Sequence, residues 1–487
     1  MSANETPNLS PRPEADLVLS ARPDEARLDT PEAIEDFALQ DDYALNPEYI
    51  ELVVDAADRG DGLRLRELLD ALHPADVADL MGFLSADYRE QVIPWIPADA
   101  LAEILPELDD AIREEVVGQV APDALAEVLQ ELDSDDAAAV LGDLEEDQKA
   151  RVLAHMPESE RAAIQTTLAY EEETAGRLMQ REVVAAPQFW TVGQVIDHMR
   201  DQAEDLPELF FDIYVIDPMF RPVGAVAVSQ VLRTRRDVPL SDLMEPVTEV
   251  GVHSDQEEVA YIFEKYHMIS VPVVDAGGRL VGQITVDDIV NIIQAENRED
   301  ILALAGVSDE GRDSTTLDVM RSRLPWLGVN LITALLASTV IALFQNEISQ
   351  LVALAVLMPI VASMGGNAGT QALTVSVRSL ATRELTAANA LRTVWREIRV
   401  GLLNGAVFAL LLSLVTYFWF KSAGLALVIA AAVLLNLTAA ALAGTLVPLG
   451  LSRVGRDPAV SSPVFVTTVT DVVGFFTFLG LAALILM

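Results

Sequence analysis

Apolar residues follow three rhythms along this chain of 487 residues. From residue 46 to 168 they return every three or four positions, the spacing of helices with one buried face. Between 169 and 297 they gather in short β-branched runs broken by Gly, Pro and Asp, which predicts strands alternating with helices. Beyond residue 323 they become nearly continuous, in stretches of about 20 residues, long enough to cross a bilayer as helices. Ahead of all this, residues 1–45 are rich in Pro, Asp, Glu and Ala with few large apolar side chains, and a disordered acidic tail is expected there. They also lack the basic-then-apolar order of a secretory signal.

The helical stretch 46–168 repeats itself. Pro74-Ala-Asp-Val-Ala-Asp-Leu-Met, Pro97-Ala-Asp-Ala-Leu-Ala-Glu-Ile-Leu and Pro122-Asp-Ala-Leu-Ala-Glu-Val-Leu align at a 24-residue period, with Ala78, Ala102 and Ala126 in register. Proline is harmless at a helix start, where its missing N–H would have no partner. Stacked units of this kind build an all-α superhelical domain. The acidic positions Asp79, Glu103 and Glu127 are expected on its solvated face.

Residues 169–297 hold a second repeat of about 60 residues, of order β-α-β-β-α. The first copy has Phe211-Asp-Ile-Tyr-Val-Ile and Arg221-Pro-Val-Gly-Ala-Val around a turn, and the second has Ser270-Val-Pro-Val-Val and Leu280-Val-Gly-Gln-Ile-Thr. These copies resemble a tandem pair of CBS domains, 169–240 and 241–297. The resemblance implies a ribose-holding stretch of Gly, two apolar residues, Thr or Ser, and Asp three positions on. The second copy keeps it as Gly282-Gln-Ile-Thr285-Val-Asp-Asp288, whereas the first reads Gly224-Ala-Val-Ala227-Val-Ser-Gln230. One nucleotide half-site, Thr285 with Asp288, is therefore expected, with ATP its candidate ligand.

Charge divides the chain as sharply as hydropathy. The first 322 residues carry 70 acidic and 23 basic side chains, and the remainder carries 5 and 9. A very acidic soluble part thus precedes a nearly neutral membrane part. Nucleic acid is not expected as a partner, because its phosphates would be repelled. With no cysteine there is no disulfide and no thiolate metal site, and all five histidines precede the membrane part. A pathway through the membrane offers a metal only oxygen ligands, which suits hard cations such as Mg²⁺.

Five spans are predicted: Pro325–Phe344, Ile348–Val377, Val400–Phe420, Ala423–Leu449 and Val460–Leu486. Residues 298–322 read as a charged connecting helix that leads into the membrane domain, 323–487. Arginines 321, 323, 378, 383, 392, 396, 399, 453 and 456 fall in alternate loops, while the other two loops hold Glu347 and Lys421. Since cytoplasmic loops carry the Lys/Arg excess, the N-terminal part is expected in the cytoplasm and the C-terminus outside. The fifth span carries one charge, Asp471, with Thr467 and Gly474 on its face. An ionised carboxylate at mid-membrane is costly unless it faces water, a cation or a partner, so a pore or relay role is expected. The second span contains Pro359 and a Gly365-Gly366-Asn367-Ala-Gly-Thr-Gln371 stretch. These residues should weaken the helix and leave irregular backbone lining a water-filled cavity. Asn330, Asn404 and Asn436 are expected to make hydrogen bonds between spans.

Taken together, the order of domains, the Gly365-Gly-Asn-Ala-Gly-Thr-Gln and Thr467-Thr-Val-Thr-Asp471 stretches, and Tyr170-Glu-Glu-Glu-Thr-Ala-Gly-Arg-Leu-Met resemble the MgtE family of Mg²⁺ channels and transporters. The resemblance implies a homodimer in the cell membrane whose pore holds hydrated Mg²⁺ at Asp471, with Gly365, Gly366 and Asn367 lining it. It further implies closure when cytosolic Mg²⁺ fills acidic clusters. Glu103 and Asp135 match ligand positions in the N domain, and Glu257, Asp288, Glu296, Glu299 and Asp300 match those around the second CBS unit and the connector. Ala139, His267 and Asn291 stand where the family often has acids, which should weaken sensing. A proton- or Na⁺-coupled carrier of Mg²⁺, Co²⁺ or Mn²⁺ is the alternative. A nucleotide sensor merely tethered by its spans is disfavoured, since an anchor needs neither Asp471 nor the polar second span. No ATPase phosphate loop and no nucleophile–base set is present, so no enzyme activity is expected.

Overall fold

The computed structural model describes residues 30–202, 206–207, 209–307, 316–386 and 388–487. The chain forms two compact units, one of residues up to 172 with 179–182, the other of 173–178 and 183–487.

The first unit is all helical. Short helices such as Pro47–Asp58, Pro74–Phe83 and Pro122–Glu131 begin on proline, and Asn46 caps the first of these by accepting from the Glu48 N–H at 3.0 Å. The repeat alanines Ala78, Ala102 and Ala126 are buried in one continuous core, while Asp79, Glu103 and Glu127 are exposed. Small residues at those positions let successive helices stack closely. Arg89, buried beneath Pro74–Phe83, donates to the carbonyls of Met81 and Leu84 and pairs with Glu115.

Part of the expected tail is folded. A helix at Pro31–Ala38, capped by Thr30, sends Ile34 and Ala38 into the same core, and Leu45 is buried there too. Asn46 Nδ2 donates to the Phe37 carbonyl at 3.0 Å and ties this helix down. Ile34 and Ala38, with Phe37 packed beside them, suffice to dock the helix, although they scarcely alter the composition of the segment. The rest of the expected tail, 1–29, lies outside the described residues.

The second unit begins with two three-stranded sheets of identical topology. In the first, β1 (Ala185–Pro187) runs parallel to β2 (Asp212–Ile216), and β2 pairs antiparallel with β3 (Pro222–Ala227). In the second, β4 (Val250–Gly251), β5 (Ser270–Val274) and β6 (Leu280–Thr285) repeat the pattern. Both sheets carry a register shift at the same place, Val215/Ile216 and Val273/Val274. The helices Val192–Asp201 and Gln256–Tyr266 are capped by Thr191 and Asp255. Tyr214 donates to Ser270 Oγ at 2.8 Å and Ser270 to Asp212 at 3.0 Å, so buried hydrogen bonds join the two sheets.

Helix Val286–Ala305 runs through the expected end of the second CBS unit at 297 without a break. It stops where Gly306 takes φ +70°, a left-handed conformation that glycine adopts without steric cost. The expected connector is thus not one helix over 298–322. Its first part continues this CBS helix, 308–315 lie outside the described residues, and the remainder opens span 1.

Among the described residues five helices are long and apolar enough to cross a membrane. Span 1 is Thr316–Leu343, span 2 Ala353–Ala381, span 3 Ala390–Phe420, span 4 Ala423–Arg453 and span 5 the helix Pro458–Leu486. Span 4 is the most enclosed, with 56% of its apolar stretch buried against 6% for span 1. Span 2 is unbroken through Pro359 and its glycines, contrary to the expectation of an interrupted helix. Those glycines serve packing instead, since small residues let helix backbones approach closely. A Cβ on Gly369 would lie 2.7 Å from Val466 of span 5, and one on Gly444 of span 4 would lie 2.7 Å from the Gly369 carbonyl.

Candidate cation pathway and its cytoplasmic acidic cleft

Asp471 is half-buried on span 5, and its carboxylate has no hydrogen-bond partner among the described residues. Its position follows from the residues beside it. Thr470 is fully buried against Gly369 of span 2, and Gly474 packs on Asn436 of span 4. Thr467, one turn before Asp471, donates its hydroxyl to the carbonyls of Pro463 at 2.9 Å and Val464 at 3.1 Å. That leaves the hydroxyl oxygen as an acceptor on the same face.

On span 2, Ser363, Asn367, Thr370, Gln371 and Thr374 form an exposed polar stripe. Gly366 opens onto space, with nothing within 4 Å of the site a Cβ would take. Gly365, expected beside these two, turns inward: its Cβ would lie 2.2 Å from Asn436 Nδ2. The reason is helical periodicity, which puts neighbouring residues about 100° apart, so Gly365 and Asn367 cannot share a face. Asn436 is fully buried and donates to the Val361 carbonyl at 2.9 Å.

At one end of the spans a cleft of about 460 Å³ lies between them and the second CBS unit. Its floor is set by helix Val286–Ala305, whose Ala303 is buried among Leu373, Val377, Ala443, Ala459 and Val466 of spans 2, 4 and 5. Glu257, Glu296, Glu299 and Asp300, all expected from the sequence, line the cleft together. Glu173, Asp255, Glu264 and Asp457 join them without having been singled out. Asp457, at the N-cap of span 5, is 157 positions from Asp300, and no local pattern links the two.

The carboxylates perturb one another. Burial, followed by the charges of Asp457, Glu296 and Glu299, lifts the Asp300 carboxyl to about 6. Burial also raises Glu257, with Asp255 and Asp300 adding to the effect and Arg383 opposing it. Glu296 is raised chiefly by burial, although Gln256 donates to it at 2.6 Å. Arg383 of the loop after span 2 lies 4.3 Å from the centre of the Tyr261 ring, a cation–π contact at the rim. Among the described residues no three of these carboxylates converge into a closed metal site.

The other expected site residues lie apart. Thr285, the N-cap of helix Val286–Ala305, donates to Asp288 at 2.9 Å, while in the first CBS unit Gln230 reaches Glu245 at 3.3 Å. Glu103 is exposed and Asp135 buried, both on helices of the first unit.

Comparison with known proteins places the chain among transporters. Sequence models match a divalent cation transporter family, MgtE, over residues 358–481, the MgtE intracellular N domain over 72–173, and a CBS domain over 240–295. The magnesium transporter MgtE of Thermus thermophilus is 33% identical over 439 residues, 89% of this chain and 97% of that protein. The magnesium transporter MgtE of Bacillus subtilis is 30% identical over 419 residues, 86% of this chain and 93% of that protein. A solved structure described as the cytosolic domain of the Mg²⁺ channel MgtE in complex with ATP is 33% identical, with a TM-score of 0.46. It covers 49% of this chain and 98% of that one. A chain that matches these two magnesium transporters along nearly their whole length belongs to the MgtE family of magnesium transporters.

Proposed function

We propose that this protein is a Mg²⁺ channel or transporter of the cell membrane, shut from the cytoplasmic side by Mg²⁺ itself. The observation that carries this reading is the acidic cleft. Eight carboxylates, Glu173 together with seven from the second CBS unit, its outgoing helix and the start of span 5, crowd a space opposed by Arg383. Without cations their mutual repulsion favours separation of the CBS unit from the inner ends of spans 2, 4 and 5. A divalent ion with its water shell screens that repulsion and bridges the two sides. Glu257, Glu296, Glu299 and Asp300 would hold the regulatory ions, with Asp457 as the membrane-side partner. Glu103, Asp135 and Asp288 belong to the same sensing system. Thr285 and Asp288 are the anchor for the ribose of a nucleotide such as ATP.

In the membrane the cargo meets Asp471. Mg²⁺ sheds water reluctantly, so a carboxylate with no competing partner is suited to hold it through that water. The polar stripe of span 2 is poorly suited to lipid, since unpaired amides and hydroxyls in hydrocarbon are costly. Its natural cover is a second copy of the chain, with Asn367 and Gly366 facing the axis of a homodimer. The soluble units then lie in the cytoplasm and the C-terminus outside.

The test is Mg²⁺ flux into proteoliposomes, wild type against Asp471→Asn, with Mg²⁺ titrated on the cytoplasmic face. Flux that requires Asp471 and falls as cytoplasmic Mg²⁺ rises supports the reading. Flux that survives the substitution removes Asp471 from the pathway, and flux that needs a proton or Na⁺ gradient makes the protein a coupled carrier.

A further inference from the structure

We propose that Asn436 is a positioning residue of the cation pathway: its buried amide, wedged between Gly365 of span 2 and Gly474 of span 5, sets the separation of the faces that carry Asn367 and Asp471, and thereby the cation selected. The proposal rests on the reading of spans 2 and 5 as the pathway walls.

The geometry is specific to one level of the bundle. Asn436 is fully buried on the most enclosed span. A Cβ on Gly365 would sit 2.2 Å from its Nδ2, and one on Gly474 would sit 2.7 Å from the same atom. One amide therefore touches both helix backbones, and both glycines are needed to admit it. Each glycine lies close in sequence to a pathway residue, Gly365 two before Asn367 and Gly474 three after Asp471. Apart from the close approach of Gly444 to Gly369, span 4 meets its neighbours above and below this level through apolar side chains, Val433 and Leu437 among them. A hydrogen bond adds a directional constraint that apolar packing lacks. Donation from Nδ2 to the Val361 carbonyl at 2.9 Å pins the axial register of span 4 on span 2.

The same amide carries a cost. Its Oδ1 is buried and accepts no hydrogen bond among the described residues. A buried acceptor without a donor is destabilising, so packing alone would favour an apolar side chain here. The amide is thus better suited to fixing a geometry than to holding the bundle together. A slip of one residue along a helix moves a side chain by about 1.5 Å along the axis.

The experiment compares Mg²⁺ and Mn²⁺ flux under equal gradients for Asn436→Ala, Asn436→Ser and Gly365→Ala, with assembly followed by size-exclusion chromatography. A change in the Mn²⁺:Mg²⁺ flux ratio of at least about fivefold, the equivalent of ~1 kcal/mol, is expected for Asn436→Ala. Gly365→Ala should shift the ratio too, and adding Asn436→Ser to it should recover at least half of that shift. A merely structural role would lower protein yield and total flux while leaving the ratio unchanged, and that result overturns the proposal. So does failure of both Asn436 variants to assemble. Because the chain has no cysteine, spin labels at Thr374→Cys and Phe465→Cys report the spacing of spans 2 and 5 with no need for flux. If wild type moves no Mg²⁺, the pathway reading fails by itself. An unaltered label-to-label distance in Asn436→Ala then decides separately against positioning, and a shifted one supports it.

Discussion

Asp300, on the helix that leaves the second CBS unit, and Asp457, at the N-cap of span 5, line the same cleft, and the charge of Asp457 helps to hold the Asp300 carboxyl up at about 6. Two acids brought together from opposite sides of a domain boundary resist that arrangement unless something neutralises them. Protons or divalent cations can do so.

The Asp300 carboxyl is raised on folding, so the folded state binds the extra proton. Its contribution is therefore fully present below the unfolded value near 3.8 and is lost as pH rises through about 6. In metal-free buffer Asp300→Asn should stabilise the protein at pH 8 by about 1 kcal/mol, discounted for the solvent-accessible part of the group, and by little at pH 4. Thermal unfolding in EDTA at the two pH values checks this. Equal effects at both would mean that the neighbouring charges do not reach Asp300.

Removing the opposing charge should act on the sensor and spare the pathway. Asp457→Asn is expected to raise the cytoplasmic Mg²⁺ needed for half-closure about three- to tenfold, the loss of roughly 1 kcal/mol of ion binding. Maximal flux at low cytoplasmic Mg²⁺ should stay within a factor of two of wild type, by the same arithmetic. Flux against cytoplasmic Mg²⁺ in inside-out vesicles reads both quantities.

Asp471→Asn keeps the size of the side chain and removes its charge. Mg²⁺ flux should fall at least about tenfold while assembly and melting temperature hold or rise, because the cost of a buried charge is relieved. A variant that transports normally would leave the polar stripe around Asn367 to carry the ion.

Glycine packing separates the two faces of span 2. Gly444→Ala would place a methyl 2.7 Å from the Gly369 carbonyl, and Gly369→Ala would place one 2.7 Å from Val466. Each should destabilise the membrane domain by about 1–3 kcal/mol, the usual cost of overpacking. Gly366→Ala meets open space within the protomer and should cost less stability than either of the others. Melting of the detergent-solubilised protein orders the three, and a Gly366→Ala as unstable as the others would refute this division of faces.

Much of the architecture was legible because it rests on periodicity. The strand pairs at Asp212–Ile216 with Pro222–Ala227 and at Ser270–Val274 with Leu280–Thr285 fall where β-branched runs flank a turn. Helix Pro31–Ala38 escaped notice because docking needs one apolar face and composition averages over all of them. Span 2 seemed broken because proline and glycine are read as local breakers. Neighbouring spans 4 and 5 fill the spaces that its glycines leave, and the helix continues.

By itself the sequence determined the number of spans, the order of the units, the lone mid-membrane carboxylate and the separation of an acidic half from a neutral one. Each depends on the solvent that a residue prefers, a property local to the chain. Only the tertiary structure decided that Asp457 joins Glu257 and Asp300, that Gly365 faces Asn436 while Asn367 faces outward, and that helix Val286–Ala305 packs its Ala303 on the ends of three spans. These are contacts between residues far apart in sequence, set by how closely helices approach and which way each one is turned, and no local pattern encodes either.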